Sequence, residues 1–369
     1  MRYVAASLSP LIPRRRLWLP VLVLCLGLVT VVASLVFAAG AKSGESAHPS
    51  GARWDGMPLD GRWERTALAS ETYALVNDPR RPSVIWAGTA GGIRVSSDGG
   101  LTWQTVAAGS RQDDFLSLGT VPGGDAMVAG TARGAVYLGV RQLNGSWQWR
   151  RVNRPLGSGH PIFSVALAPR GGLVLAGTFG SLYRGVRTTA GWAWRRVART
   201  GDSAITSIAW ASWNTRLAYA ALFGARPPVL TTRDSGRTWH ADTQGLPSSL
   251  PTQALSALRT HPPRVILTTM GGGVWERVAG AAWHDVSAGL PGRHGMPLVA
   301  RQVGGSVLLY TGTMGFGVYG KEGTAPWRRV GTGLDGGDHT VLGLAGASKP
   351  HPVLLAGTAL GVFRYVPTR

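Results

Sequence analysis

A unit of about 44 residues recurs along this chain, and that period constrains the fold more than any other feature. Each unit holds a short apolar run, a small-Gly-Thr step, a second apolar run and a Trp. The steps are Ala87-Gly88-Thr89, Ala129-Gly130-Thr131, Ala176-Gly177-Thr178, Thr311-Gly312-Thr313 and Ala356-Gly357-Thr358. Weaker copies are Ala220-Ala221-Leu222 and Leu267-Thr268-Thr269. The Trp residues are Trp63, Trp103, Trp147, Trp192, Trp239, Trp283 and Trp327, spaced 40, 44, 45, 47, 44 and 44 apart. The first unit reads as four strands, at 73–76, 84–89, 93–96 and from Thr102-Trp103 onward. Four strands per repeat is the arithmetic of a β-propeller blade. A helical repeat would need apolar spacing near 3.6, whereas these runs alternate or are continuously β-branched.

The chain ends predict how such a ring closes. The seventh unit supplies strands near 341–344, at 353–358 and at 361–366, and then the sequence reaches Arg369 without a Trp strand. Arg62-Trp63-Glu64-Arg65 stands at the front as an unmatched fourth strand. Pairing it with Val362-Phe363-Arg364-Tyr365 completes the last blade and removes two open sheet edges. The expectation is an all-β, seven-bladed propeller over 61–369, one domain although the length suggests two.

Arg14, Arg15 and Arg16 precede 25 uncharged, mostly apolar residues, 17–41. At 1.5 Å per residue they are long enough to cross a bilayer. The expected organisation is a basic cytoplasmic end (1–16), a transmembrane signal anchor (17–41) and a flexible linker (42–60) rich in Gly, Ser, Ala and Pro. The propeller then lies outside the cytoplasm, tethered to the cell membrane by a single span. Ala39-Gly40-Ala41 also fits a cleavage site, which leaves a removed signal peptide as the alternative. Cys25, the single cysteine, sits inside the apolar run and excludes a disulfide framework and a cysteine-based zinc site.

The turn before the fourth strand carries a motif. Ser96-Ser97-Asp98-Gly99-Gly100-Leu101-Thr102-Trp103 reads S-x-D-x-G-x-T-W, and Thr232-Arg233-Asp234-Ser235-Gly236-Arg237-Thr238-Trp239 repeats it in phase. The Asp carboxylate can accept turn N–H groups, Gly permits positive φ, the Thr hydroxyl can bond backbone, and Trp packs between sheets. These turns resemble the Asp-box, or bacterial neuraminidase repeat, of a propeller superfamily. The resemblance spans about 61–369 and implies that Ser96, Asp98, Gly100, Thr102, Trp103, Thr232, Asp234, Gly236, Thr238 and Trp239 are structural. Among relatives, the photosystem II assembly/stability factors and their non-photosynthetic cousins share the seven-unit count and secretory start. That likeness implies a non-catalytic assembly or protein-binding role. The sialidases carry an Arg-Ile-Pro motif, which this chain lacks.

Function is expected at the opposite rim, where strand two turns into strand three and each blade leads into the next. The first set of turns places Phe179, Phe223, Met270, Met314, Phe316 and Leu360 near Arg133 and Arg226. They form either a contact surface for another protein or a seal over the channel. The inter-blade links add Glu71, Asp113, Asp114, His160, Asp202, His294, Asp338 and His339. Glu71, Asp114 and Asp202 are the candidates for a glycosidase carboxylate pair, which requires a separation of about 5–9.5 Å. The histidines never occur as closely spaced ligand pairs, so neither a metal nor a cofactor is expected. The formal charge is +20, with 35 of 38 basic residues Arg. Repeated Trp-Arg-Arg at 149–151, 194–196 and 327–329 suits an acidic protein or anionic polymer. Export makes nucleic acid an unsuitable partner, and the propeller is expected to be monomeric. Phosphate loops, Gly-x-Ser-x-Gly elbows and His-Glu-x-x-His are absent from the sequence.

Overall fold

Short β-branched runs separated by Gly and Pro turns can bury both faces only by stacking sheet on sheet, and the chain does so as an all-β propeller. The computed structural model describes residues 53–54, 57–106, 108–109, 113–154, 156, 159–303, 305–347 and 352–368. The expected cytoplasmic end, membrane span and first part of the linker lie outside these residues. Among the described residues no helix is long and apolar enough to cross a membrane.

Five antiparallel sheets have four strands each. The first blade comprises Thr72–Asn77, Ile85–Thr89, Gly92–Ser96 and Gln104–Val106 in chain order from the channel outward. The other four-stranded sheets begin, in chain order, at Phe115–Thr120, Thr252–Leu258, Leu298–Val303 and Gly343–Ala347. Between the sheets that begin at Phe115 and Thr252 the chain forms one seven-stranded sheet. Its central strand, Gly191–Trp210, pairs through its first part with Phe179–Thr188 and through its second with Ala218–Leu222.

The ring closes as the chain ends imply. Gly61–Arg65 pairs with Gly361–Pro367 in antiparallel register, Trp63 opposite Tyr365 and Gly61 opposite Pro367. Trp63 is buried, donates its indole N–H to the Val330 carbonyl at 2.7 Å, and lies with its ring 5.4 Å from that of Tyr365.

The segment before this strand departs from the expectation of a loose linker up to residue 60. Arg53–Trp54 pairs with Met57–Pro58, and Met57 and Leu59 are buried against Val330, Leu334 and Tyr365. The Leu59 carbonyl accepts from Gly331, and Tyr365 donates to the Pro58 carbonyl at 2.9 Å. Two large apolar residues in a Gly- and Pro-rich stretch gain more by burial than the stretch gains by staying free.

Apolar clusters fill the junctions between successive blade positions. Ile85 and Leu355 meet between the last and first, Trp86 and Met127 between first and second, Val128 and Val174 between second and third. Leu175 with Ile205, Leu217 with Leu267, Ile266 with Leu309 and Leu308 with Leu354 continue the series. The Gly of each small-Gly-Thr step permits this packing. A Cβ on Gly130 would lie 2.5 Å from Ile162, and one on Gly177 2.6 Å from Ile205, each at the entry to the next inner strand.

Candidate functional site

Both turns of the form S/T-x-D-x-G-x-T-W have one geometry. Ser96 and Thr232 donate a hydroxyl to Asp98 and Asp234 and accept the N–H of Gly100 and Gly236 at 2.7 and 2.9 Å. Each carboxylate also accepts two further turn N–H groups and the hydroxyl of Thr102 or Thr238, at 2.5 and 2.6 Å. The Thr hydroxyl thus bonds the carboxylate rather than the backbone. Burial pushes the Asp98 carboxyl up, but hydrogen bonds from Thr102, Ser96 and Leu101 outweigh it and hold it at about 2; Asp234 is lowered by the same balance. The box glycines sit against a neighbouring blade: a Cβ on Gly100 would lie 2.8 Å from Leu355, and one on Gly236 2.8 Å from Leu175. Trp103 donates to the Gly100 carbonyl at 3.1 Å, whereas the Trp239 indole N–H has no partner among the described residues.

At the opposite rim, turns from strand two to strand three are clamped by the threonines of the small-Gly-Thr steps. Thr89, Thr269 and Thr313 each donate to the carbonyl of Gly92, Gly273 and Gly317 at 2.7 Å, and Thr358 does so to Gly361 at 3.1 Å. Recurrence of that Thr in each step is the sequence signal for this clamp.

Two of the three candidate carboxylates converge on one side chain. Tyr73 donates its phenol to Glu71 at 3.0 Å, and burial, then Glu71, then the charge of Asp114 raise its pKa far above the ordinary value. Asp114, from the next blade, accepts the Gly91 N–H at 3.0 Å. Beside them Tyr137 donates to Asp113 at 3.1 Å. Sequence reasoning had no handle on Tyr73, because one aromatic on an inner strand does not announce which way it faces. Asp202 does not join this group. It lies exposed inside the continuous strand Gly191–Trp210 rather than in an inter-blade loop, which corrects its expected setting.

The apolar rim residues turn inward to different extents. Met314 is buried, Phe179, Phe223, Met270 and Phe316 are half-buried, and Leu360 is exposed. Arg133 and Arg226 are exposed. His294 is buried, its Nδ1 has no hydrogen-bond partner among the described residues, and burial lowers its pKa. The ring packs against Gly292, where a Cβ would stand 2.6 Å from its Cδ2. His339 is half-exposed, with Nδ1 2.8 Å from the Asp335 carbonyl and its ring edge-on to Phe363. His160 is half-exposed in the link between the second and third blade positions. Among the described residues no group of three or more His, Cys, Asp or Glu is placed to hold a metal.

A cavity of about 200 Å³ opens at the other end of the channel, where Leu118, Pro122, Val165, Pro169, Ile208 and Trp210 meet. It lies beside the turns from strand one to strand two, on the side of the Asp98 and Asp234 turns and away from Glu71 and Asp114.

No family model matches the chain, and no curated protein matches it. Solved structures do. A GH74 xyloglucanase from Xanthomonas campestris superposes with a TM-score of 0.59 at 14% identity, covering 82% of this chain and 53% of its own. The extracellular domain of a hybrid two-component system from B. thetaiotaomicron gives 0.59 at 16%, covering 82% and 39%. The chain thus spans about half of the first and two fifths of the second, and at these identities the likeness is one of fold: a β-propeller.

Proposed function

We propose that this protein is a membrane-anchored, extracytoplasmic propeller of seven Asp-box blades that acts without catalysis, binding a protein or anionic partner in the manner of an assembly or stability factor. The seven-stranded sheet then counts as two blades. The observation that carries the non-catalytic reading is the state of the rim carboxylates. Glu71 accepts from Tyr73, Asp114 accepts from Gly91, and Asp202 stands apart on a strand. A glycosidase needs one free acid and one free base or nucleophile facing a common substrate. The partner surface in this reading is the rim bearing Arg133, Arg226 and Leu360, with Phe179, Phe223, Met270 and Phe316 half-buried among its turns. Crosslinking in native membranes followed by identification of the captured protein tests it. Capture should fall when Arg133 and Arg226 are replaced by Glu, and capture unchanged by both replacements overturns the assigned surface.

A glycan-active or glycan-binding protein is the second reading, favoured by the approach of Glu71 and Asp114 to one tyrosine across consecutive blades. Turnover of chromogenic glycosides that disappears in Glu71→Gln and in Asp114→Asn would replace the first reading with this one.

A further inference from the structure

We propose that the Asp-box rim is a docking surface for the anionic phospholipid bilayer to which the chain is tethered. The inference deepens the membrane-anchored reading above, and three independent observations carry it.

The first is where the chain enters. Gly61 and Pro367 are paired at the end of the seventh blade where other blades have their strand-three to strand-four turns. Thr368 donates its N–H to the Asp60 carbonyl at the same place. The segment leading from the apolar run therefore reaches the propeller on the Asp-box rim. Residues 42–52 are 11 in number and span at most roughly 40 Å fully extended, so a bilayer holding the upstream segment stays within reach of that rim.

The second is apolar. Three large hydrophobic side chains among the described residues are exposed, Leu101 at 54%, Leu143 at 110% and Leu360 at 37%. The two most exposed stand on strand-three to strand-four turns of the first and second blades, both on this rim. Leu143 occupies the tip of its turn, where it has no neighbour to pack against and can enter the headgroup layer.

The third is charge. Between Asp125 and Asp202 the chain carries 11 arginines and no carboxylate, Arg170 and Arg187 of them at this rim and others on the outer strands or the opposite rim. Arg170, Arg187, Arg216, Arg237 and Arg259 are exposed on turns or strand ends of this rim, and none forms an ion pair among the described residues. Four carboxylates of this rim are already engaged, while Asp60 and Glu322 form no ion pair among the described residues. Asp98 and Asp234 hold their own box turns, Asp78 is buried against Arg141, and Asp125 pairs with Arg80. The rim thus offers apolar tips on its first two sheets and, on the seven-stranded sheet and the one after it, guanidinium groups without a carboxylate partner, open to phosphate.

Full-length protein carrying Cys25→Ser is labelled with an environment-sensitive fluorophore at Leu143→Cys or at Leu360→Cys on the opposite rim. It is reconstituted into vesicles of phosphatidylcholine alone or with phosphatidylglycerol, with spin-labelled lipids as quenchers. The Leu143 probe should be quenched in phosphatidylglycerol vesicles and the Leu360 probe should not. Reversing Arg170, Arg187 and Arg237 to Glu, or raising salt, should reverse the quenching, with docking weakened roughly fivefold or more per arginine changed. Equal quenching at both positions, or quenching indifferent to phosphatidylglycerol, overturns the proposal. So does a Leu143 probe that responds to soluble polyglutamate and not to vesicles, which would mark an acidic protein site. Alkaline carbonate extraction reports the anchor separately: release of the chain refutes the tether, whereas a retained chain with an unquenched Leu143 refutes only the rim.

Discussion

Replacing Trp63 by alanine removes the main anchor between the first strand of the propeller and the last. A Trp side chain buries roughly 250 Å², worth about 6 kcal/mol at ~25 cal/mol per Å² as an upper bound. Truncation also strips the Val330 carbonyl of the indole N–H it accepts at 2.7 Å, and an orphaned buried carbonyl costs about 1 kcal/mol or more. Relaxation of the surroundings offsets part of this, and large-to-small Trp substitutions in cores cost about 3–5 kcal/mol. The expected loss for Trp63→Ala is about 4 kcal/mol. Trp239 occupies the same position of its blade but is half-exposed, and its indole N–H has no partner among the described residues. Trp239→Ala should cost about half as much, ~2 kcal/mol. Urea unfolding of detergent-solubilised protein, followed by circular dichroism at constant m-value, measures both. A Trp63→Ala loss below ~1 kcal/mol, or a Trp239→Ala loss as large, would refute the claim that this pairing clasps the ring.

Three further outcomes are expected. Gly100→Ala should destabilise by about 2–4 kcal/mol, because φ is +93° and the new Cβ meets Leu355 at 2.8 Å; Gly145→Ala, at φ +82° with open space around it, should cost only about 1 kcal/mol. Asp98 has a folded pKa of about 2, below its unfolded value of 3.8. Its stabilisation is complete above the unfolded value and is lost as pH falls through about 2, and Asp98→Asn should flatten that part of the acid-unfolding curve by about 1 kcal/mol or less, since the carboxylate is exposed. The folded pKa of His294 lies below the ordinary 6.5, so the unfolded chain takes up the proton first; melting temperatures should be level above about pH 6.5 and decline below it, and His294→Gln should remove that decline.

The propeller architecture was legible because a Trp every 40 to 47 residues fixes the phase of the repeats. Closure was legible from an unmatched strand at each end. The run-on strand was not, since Thr200-Gly201-Asp202 reads as an ordinary turn, and its continuity depends on pairing with strands on both sides. The burial of Met57 and Leu59 was hidden by the Gly, Ser and Pro around them; a hydrophobic residue shows in sequence, but the groove that receives it does not. At the rim, residue types and phase could place Glu71 and Asp114 on neighbouring blades. Only coordinates could show that both act on Tyr73, because side-chain direction on an inner strand depends on ring geometry.

The uninterrupted strand Gly191–Trp210 has a mechanical consequence. Among the described residues no other two sheets share a strand, so they can rock against one another with only side-chain slippage. Within the seven-stranded sheet any such movement must bend a backbone hydrogen-bonded on both flanks. This sector acts as a splint, and whatever breathing the ring undergoes is displaced toward the joints across the circle. Amide hydrogen exchange should therefore find the crossing near Ile205 slower to open than the corresponding links before Leu255 or Leu298.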